Sequence, residues 1–325
     1  LECFLRNRTQ YVVANGFIST HCSVTSGVPQ GSVLGSLLFL IYINDLPNTL
    51  SSTIRLFADD CVIYRDISDS ADKSALQSDL NKISTWCDTW LMNLNTNKCK
   101  VMRVTRQKHN TTACTYILNL DPLTKVSCYK YLGVYISHNL SWQTHIDHIT
   151  SDANRMLGFL RRNFALASAD IKLVLYKTLV RSKLEYASSI WDPHINSLLH
   201  DIEAIQNRSA RFILSNYFRT ASVSSLKSSL NLLDLSVRRK ISRLCLFHKI
   251  YHANSTLKDS MLFPPTYHST RNDHHFEIGT PSSRTNYYFN SFIPKTSSDW
   301  NHLPTCIASI INPANFKVAI SGHIT

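Results

Sequence analysis

Two adjacent aspartates, Asp59 and Asp60, interrupt a stretch that otherwise has the composition of a buried strand. Two carboxylates held side by side repel each other unless a cation lies between them. Mg²⁺ prefers hard oxygen ligands and is commonly held by one or two carboxylates together with substrate phosphates. Two such ions can activate the attacking hydroxyl and stabilise the leaving oxygen in nucleotidyl transfer. The pair indicates a divalent-cation site, while the frequency of aspartate in turns offers a purely structural alternative.

The residues around the pair predict a β-hairpin over residues 53–65, because strand-forming residues flank a tight turn. Alternate residues of such strands face the core. The expected core face consists of Ile54, Leu56, Ala58, Val62 and Tyr64. The aspartates then lie at the turn, where a rigid backbone can present both carboxylates to a cleft.

A loop punctuated by glycine and proline, SGVPQGS at residues 26–32, precedes the hairpin. Ser32 can cap a following helix, which Pro47 limits. The predicted apolar stripe of this helix is Leu34, Leu37, Leu38, Ile41 and Leu46. Further upstream, Asn15-Gly16 predicts the turn of a short hairpin within residues 11–24.

Strands and helices mix up to residue 137, and helices dominate the next hundred residues. The remaining expected elements are a helix over 71–93, strands over 101–105 and 131–137, and helices over 144–163, 170–190, 198–215 and 237–252. This order predicts an α+β unit followed by a helical unit. The tail after residue 254 is rich in Ser, Asn, Pro and His, and its fold is not readable from the pattern.

The sequence from SGVPQGSVLGSLLFLIYINDL at 26–46 to FADD at 57–60 resembles polymerase motifs B and C of non-LTR, LINE-type retrotransposon reverse transcriptases. The basic helices and the tail resemble the thumb and C-terminal region of the jockey/CR1-like branch of that family. Looser similarities extend the match along the chain. They are FLRNRTQYV at 4–12, WLMNLNTNKCKVM at 90–102 (motif D), YKYLGVYIS at 129–137 (primer grip) and SSDWNHLP at 297–304. The resemblance implies an RNA-directed DNA polymerase that uses an RNA template, a DNA primer, deoxynucleoside triphosphates and two Mg²⁺ ions.

The resemblance also implies a division into three regions. Residues 1–137 would form a partial polymerase palm, an antiparallel sheet with helices; residues 138–253 would form a mostly α-helical thumb; and residues 254–325 would form a C-terminal region. The palm is partial because the family's motif A, with another essential aspartate, lies upstream of motif B. We therefore expect the 325-residue chain to be inactive alone and its full-length parent to polymerise DNA. The alternative is a degenerate retroelement remnant that only binds nucleic acid.

By resemblance, Asp59 and Asp60 would bind metal, with Asp59 the better candidate for the direct catalytic ligand. Lys98 stands at the motif D lysine and would stabilise or protonate the leaving pyrophosphate, although a solvated surface lysine is an equal alternative. Candidates for nucleotide and template binding are Gly27, Pro29, Gln30, Gly31 and Phe57. The primer-grip candidates are Tyr131, Leu132 and Gly133.

The net charge of the chain is +12, and it is uneven. Residues 151–325 carry 21 basic and 11 acidic residues, whereas residues 1–150 carry 13 and 11. Basic residues three or four apart on the predicted helices would track a nucleic-acid backbone, or would form solvated helix faces. These residues are Lys177, Arg181, Arg208, Arg211, Arg239 and Arg243.

Other classes of protein are disfavoured. The nine cysteines include no C-x-x-C pair, and no signal peptide is visible, so we expect reduced thiols in an intracellular protein of the cytoplasm and nucleus. The longest apolar run, 33–43, is too short to span a bilayer, so no membrane partner is expected. His145 and His148 lie three apart, but no Cys stands at ligand spacing, so zinc is not favoured.

Overall fold

The computed structural model describes residues 2–105, 115–265 and 275–324. These residues form two compact units. The first comprises residues up to Val101 together with 115–125, and the second comprises 102–105 and all described residues from Val126 onward. Both helices and strands are present, which confirms the predicted α+β class at this level.

The described residues of the first unit contain paired short strands, three α-helices and one 3-10 helix, Leu46–Thr49. The strands are β1 (Arg8–Gln10), β2 (Val13–Ala14), β3 (Phe17–Ile18), β4 (Cys22–Val24), β5 (Thr53–Phe57), β6 (Asp60–Tyr64), β7 (Lys100–Val101), β8 (Ile117–Leu118), β9 (Asp121–Pro122) and β10 (Thr124–Lys125). The helices are α1 (Glu2–Leu5), α2 (Val33–Ile43) and α3 (Ser70–Thr89). All pairs are antiparallel except β7 with β10.

The hairpin at Asn15-Gly16 is confirmed, since both residues have positive φ and join β2 to β3. The predicted strand over 101–105 is wrong, because β7 ends at Val101. The helix predicted over 71–93 is α3, which ends at Thr89 rather than at residue 93. Leu91 has a φ of 56°, a left-handed conformation that stops helix propagation.

The β5–β6 hairpin is confirmed, but its predicted core face is partly wrong. The two-residue turn, Ala58 and Asp59, pairs Ile54 with Ile63 and Leu56 with Cys61. Cross-strand partners share a face, so Ile63 completes the core face in place of Val62 and Tyr64. Ile54 is buried, and Leu56 and Ile63 pack against the same apolar cluster.

Helix α2 begins where predicted, but most of the predicted stripe does not form its buried face; of the stripe only Leu46, which lies beyond the end of α2, is buried. Gly35 and Ile43 are buried, whereas Leu34, Leu37 and Ile41 are exposed, the last two by 52% and 65%. The physical reason is that ten of the eleven residues are apolar or glycine, so the sequence pattern does not distinguish one face from another.

The core of the first unit lies between α2, α3 and the β5–β6 hairpin. It contains Ile43, Leu46, Ile54, Leu80, Ile83, Trp86, Cys87, Tyr116 and Leu118. Trp86 also donates a hydrogen bond from Nε1 to Asp45, at 3.1 Å, just after α2. This packing fixes the hairpin against two helices.

The second unit begins with a hairpin and continues with helices. The strands are β11 (Cys128–Tyr131) and β12 (Val134–Ser137). The helices are α4 (Gln143–Asn163), α5 (Ala169–Leu175), α6 (Ser182–Glu185), α7 (Asn196–Ile213), α8 (Val223–Ser229), α9 (Leu235–Ala253), α10 (Ser255–Met261), α11 (Asn286–Phe289), α12 (Phe292–Asn301), α13 (Thr305–Ala308) and α14 (Pro313–Ile324). A π-helical segment, Tyr176–Arg181, joins α5 to α6.

Two apolar clusters support this unit. One surrounds α4 and α7, and the other surrounds α9, α12 and α14. The four predicted helices are present, although the one predicted over 170–190 is broken by the π-helical segment and ends at Glu185. The tail after residue 254 contributes Trp300 and Phe316 to the second cluster, so much of it is folded.

Candidate active site

Asp59 and Asp60 lie at the tip of the β5–β6 hairpin, as predicted. Asp59 occupies the turn, and Asp60 is the first residue of β6 and pairs with Phe57. Asp60 and Phe57 therefore share the face opposite the core. Both carboxylates are exposed and make no hydrogen bond or ion pair with any described residue. They are free to bind a cation from outside the chain.

The turn is conformationally unusual. Ala58 has a φ of 50°, in the left-handed region that side chains other than glycine rarely adopt. Such strain, of order 1–3 kcal/mol, persists only where the surrounding structure holds it, and it concentrates at functional sites. Here the five cross-strand pairs of the hairpin hold it.

Asp79 anchors the start of the hairpin, a role that the sequence analysis missed. Its buried carboxylate accepts hydrogen bonds from the backbone N–H of Ser51, at 3.1 Å, and of Ser52, at 2.7 Å. Lys82 forms an ion pair with it at 3.1 Å. Burial alone would raise the pKa of Asp79, but the hydrogen bonds from Ser52, Ser51 and Lys82 hold it well below its usual range. In the sequence, the feature that indicates this role is an aspartate at a position of the apolar stripe of α3.

The SGVPQGS loop is built on two glycines with positive φ, Gly27 at 73° and Gly31 at 82°. No atom lies within 4 Å of where a Cβ would be on either, so the loop surface is open. Ser32 caps α2 by accepting from the N–H of Gly35, at 3.1 Å, and it donates to the carbonyl of Pro29, at 2.7 Å. A Cβ on Gly35 would lie 2.8 Å from the Ser32 hydroxyl, so the cap requires glycine there.

Arg8 ties the loop to β1 and is a second residue that the sequence analysis did not single out. Its Nη2 donates to the carbonyl oxygens of Gly27, at 2.6 Å, and Ser26, at 3.2 Å. Its Nε donates to Leu5, at 3.1 Å. One guanidinium thus fixes the backbone of a glycine-containing loop. In the sequence, this role is indicated by the position of Arg8 in the FLRNRTQYV segment.

The predicted candidates of residues 27–98 all lie in the first unit. Pro29 and Gln30 complete the loop, and Phe57, which is 61% exposed, flanks the aspartate turn. Lys98 is exposed in a turn before β7, where its backbone N–H donates to Asn95. The catalytic and binding roles of these residues remain predictions.

The candidate primer-grip residues lie in the second unit, on the β11–β12 hairpin. Leu132 and Gly133 form its two-residue turn, with φ of 45° and 84°. Tyr186 packs against this turn and donates from its hydroxyl to the carbonyl of Leu132, at 2.9 Å. Tyr131 ends β11 and pairs with Val134. The turn is therefore held by a side chain that follows α6.

Arg239 and Arg243 do not occupy the nucleic-acid-facing positions predicted for them. Each is 2% exposed, and both bind Asp192. Arg243 also binds Asp299. Guanidinium groups that are buried and paired in this way are not available to backbone phosphates, so this part of the prediction is corrected.

The other predicted basic residues are more accessible. Arg208 is exposed and bonds Asn154, while Arg211 donates to the carbonyls of Phe218 and Ala221. Arg181 pairs with Glu185 at 3.6 Å. Lys177 is half-buried on the π-helical segment, so its spacing from Arg181 is not that of an α-helix.

No group of three or more potential metal-ligating side chains occurs among the described residues. His145 is buried. This burial, and to a smaller extent the charge of His148, lowers the pKa of His145 to about 4. Its Nδ1 accepts from the N–H of Tyr135. The described cysteine side chains are all free thiols. Across residues 2–105, 115–265 and 275–324, no helix has the length and apolarity needed to cross a membrane.

The SGVPQGS loop and the paired carboxylates both lie in the part of the chain that matches a known protein family. Residues 3–136 match the family model of reverse transcriptase (RNA-dependent DNA polymerase), and this part of the chain is a member of that family. Curated relatives of the chain are RNA-directed DNA polymerases of transposons and mobile elements, which confirms the predicted LINE-type, non-LTR retrotransposon reverse transcriptase.

The chain is 31% identical over 222 residues to a probable RNA-directed DNA polymerase from transposon X-element of Drosophila melanogaster, covering 66% of this chain and 24% of that protein. It is 28% identical over 240 residues to the RNA-directed DNA polymerase from mobile element jockey of the same organism, covering 69% and 26%. For jockey of Drosophila funebris the identity is 29%, with the same coverage. The chain thus spans about a quarter of the length of these relatives.

Proposed function

We propose that the chain supplies part of the catalytic centre of an RNA-directed DNA polymerase. In this function a DNA primer hydroxyl attacks the α-phosphate of a deoxynucleoside triphosphate, an RNA strand serves as template, and pyrophosphate leaves. The observation that carries the proposal is the pair of exposed carboxylates at the β5–β6 turn, which lack a cationic partner among the described residues of a chain with net charge +12.

Asp59 and Asp60 would hold a divalent cation, which we expect to be Mg²⁺. The residues fit such an ion because carboxylate oxygens are the ligands it prefers and because no described side chain competes for them. When bound, the ion would polarise phosphate oxygens and lower the pKa of a coordinated hydroxyl. The hairpin's own contribution is to hold the two carboxylates at a fixed turn, which Asp79 and the apolar core support.

The neighbouring elements take complementary roles in this proposal. The open surface over Gly27 and Gly31 would let nucleotide and template approach the backbone closely. Lys98 would neutralise charge on the leaving pyrophosphate, and the β11–β12 turn would contact the primer. The first unit would then be a polymerase palm and the helices of the second unit a thumb, acting inside the cell as part of a ribonucleoprotein. Arg208, Arg211, Arg181 and Lys177 remain candidates for backbone contacts.

A chimaeric polymerase tests the proposal. In the jockey protein of Drosophila melanogaster, the region that aligns with this chain is replaced by the present sequence, and extension of a DNA primer on RNA is measured. The chimaera should extend the primer, and Asp59→Asn and Asp60→Asn should each abolish extension. Asp66→Asn serves as the matched control, because Asp66 is also exposed and follows the same hairpin. Extension that survives Asp59→Asn would refute the assignment.

The chimaera also addresses the alternative of a degenerate remnant. Binding of RNA without extension, in a chimaera whose parent is active, would favour a remnant that retains only nucleic-acid affinity. Asp66→Asn must in either case behave like the unaltered chimaera, since its carboxylate has no place in the proposed site.

A further inference from the structure

The second unit contains a cavity of about 270 Å³ lined by both aromatic and aliphatic side chains. It lies between the segment that follows α6 and the helices α11 and α12. Its ring-bearing lining residues are Trp142, His194, Tyr287, Tyr288 and Phe292, and together they are called the aromatic pocket here. The rings of His194 and Tyr287 meet edge to face, with centroids 5.9 Å apart. Tyr287 and Tyr288 are 44% and 45% exposed, so the pocket opens to solvent.

A cluster of charges adjoins the pocket through Asp192, which is one of its lining residues. Asp192 binds Arg239, at 3.0 Å, Lys295, at 2.6 Å, and Arg243. The network continues to a second carboxylate, Asp299, which binds Arg243 and Lys240. Four cations therefore share two carboxylates, which leaves an excess of two positive charges beside the pocket.

The cluster also has unsatisfied hydrogen-bond donors. Arg239 Nη1 and Arg243 Nε are buried and have no partner among the described residues. These two guanidinium groups do not reach solvent, but their uncompensated charge favours an anion held near the accessible ammonium groups of the cluster. The ammonium groups of Lys240 and Lys295 lie on side chains that are 42% and 26% exposed, so an anion can reach the cluster from solvent.

We propose that the aromatic pocket binds an unpaired base of a nucleic-acid strand, with the adjacent phosphates near the charge cluster. Aromatic side chains beside positive charge are the general means by which proteins hold single strands, because every base has a face that stacks. An apolar peptide would fill the pocket but would leave the excess positive charge uncompensated. The inference goes beyond the proposed function, since it concerns a strand held by the second unit outside any catalytic role.

The test uses the full chain and fluorescently labelled 12-nucleotide strands, with fluorescence anisotropy as the readout. RNA and DNA strands are measured separately to identify the source of the base. Each is compared with an abasic strand of equal length, which keeps the phosphates and removes the bases. The unaltered chain should bind the base-containing strand about tenfold more tightly than the abasic one.

Substitution of Tyr287 assigns that preference to the pocket. Tyr287→Ala should remove the preference for bases, and Tyr287→Phe, which keeps the ring, should retain it. Tyr217→Ala is the matched control, because Tyr217 is 54% exposed and lies outside the pocket lining. A base preference that persists in Tyr287→Ala, or that is absent from the unaltered chain, would overturn the proposal.

Crosslinking keeps the proposal testable if Tyr287→Ala does not fold. RNA that carries 4-thiouridine should crosslink the unaltered chain within residues 190–195 or 286–292, and crosslinks confined to other residues would contradict the pocket. The base preference measured with abasic strands bears on the pocket, whereas survival of primer extension in the Asp59→Asn chimaera bears on the polymerase assignment. Failure of the pocket and failure of the polymerase assignment are therefore distinguishable.

Discussion

Replacement of Gly133 by alanine should destabilise the second unit through two separate effects. Gly133 has a φ of 84°, and an added Cβ would lie 2.7 Å from Cε1 of Tyr186. The backbone conformation alone costs a non-glycine residue about 1–2 kcal/mol. Overpacking against a ring that also holds the Leu132 carbonyl adds about 1–3 kcal/mol. Because Tyr186 is more than half exposed and can partly move away, we expect a total of about 3 kcal/mol.

Urea unfolding, followed by the fluorescence of tryptophan, measures this loss of unfolding free energy. Trp191 and Trp300 are fully buried in the second unit and report on it. A double-mutant cycle with Tyr186→Ala separates the two effects, since in that background Gly133→Ala should cost only the backbone part, about 1–2 kcal/mol. Gly16→Ala is a matched comparison, because Gly16 has a φ of 83° and no atom lies within 4 Å of its added methyl group.

The cycle can refute the reasoning directly. An equal cost of Gly133→Ala with and without the Tyr186 ring would show that the ring does not restrict the turn. A cost below that of Gly16→Ala would show that the left-handed backbone is not retained at Gly133. Either result would remove the argument that Tyr186 fixes the candidate primer-grip turn.

Three further perturbations test the supports of the candidate site and of the second unit. Asp79→Ala should lower the unfolding free energy by about 3 kcal/mol at pH 7 in urea denaturation, because it leaves buried donors unpaired, while exposed Asp88→Ala should change little. The difference should shrink as the pH falls below about 4, because this carboxyl then binds a proton in the unfolded chain, whereas the folded state keeps it ionised to lower pH. His145 binds a proton more weakly in the folded state, with a pKa of about 4, so the free energy of unfolding should decrease as the pH is lowered from about 6.5 to about 4. His145→Asn should remove the contribution of this residue to that decrease, which is at most about 3 kcal/mol. In the chimaera, Arg8→Ala should reduce extension about tenfold and raise KM for the nucleotide, whereas Arg6→Ala, an exposed control, should not.

The sequence predicted local features well where one residue type has one physical role. Asn15-Gly16 predicted a hairpin turn because both positions need positive φ, and Ser32 predicted a helix start because a hydroxyl can cap free N–H groups. The aspartates fell at a turn, as expected. The class of protein also followed, since the motif order of the chain matched that of a known family.

Other features depend on tertiary contacts that a pattern does not contain. The core face of the β5–β6 hairpin was misassigned because its turn has two residues. With this turn the odd-numbered residues of β6, rather than the even-numbered ones, lie on the core face. The roles of Arg239 and Arg243 were misassigned because helix spacing does not reveal a carboxylate such as Asp192, 47 residues away from Arg239 in the chain. Arg8 was missed because its partners are backbone carbonyls, and Asp79 because two of its partners are backbone N–H groups; every residue possesses such groups, apart from the N–H that proline lacks.

The exposed apolar side of α2 has a consequence for handling the protein. This exposed apolar surface consists of Val33, Leu37, Leu40 and Ile41, and Val33 is 88% exposed. Exposed apolar surfaces of this kind promote self-association at the protein concentrations used in biophysical measurements. Polar substitutions at these four positions should reduce self-association, and they leave the Ser32 cap and the aspartate turn unchanged.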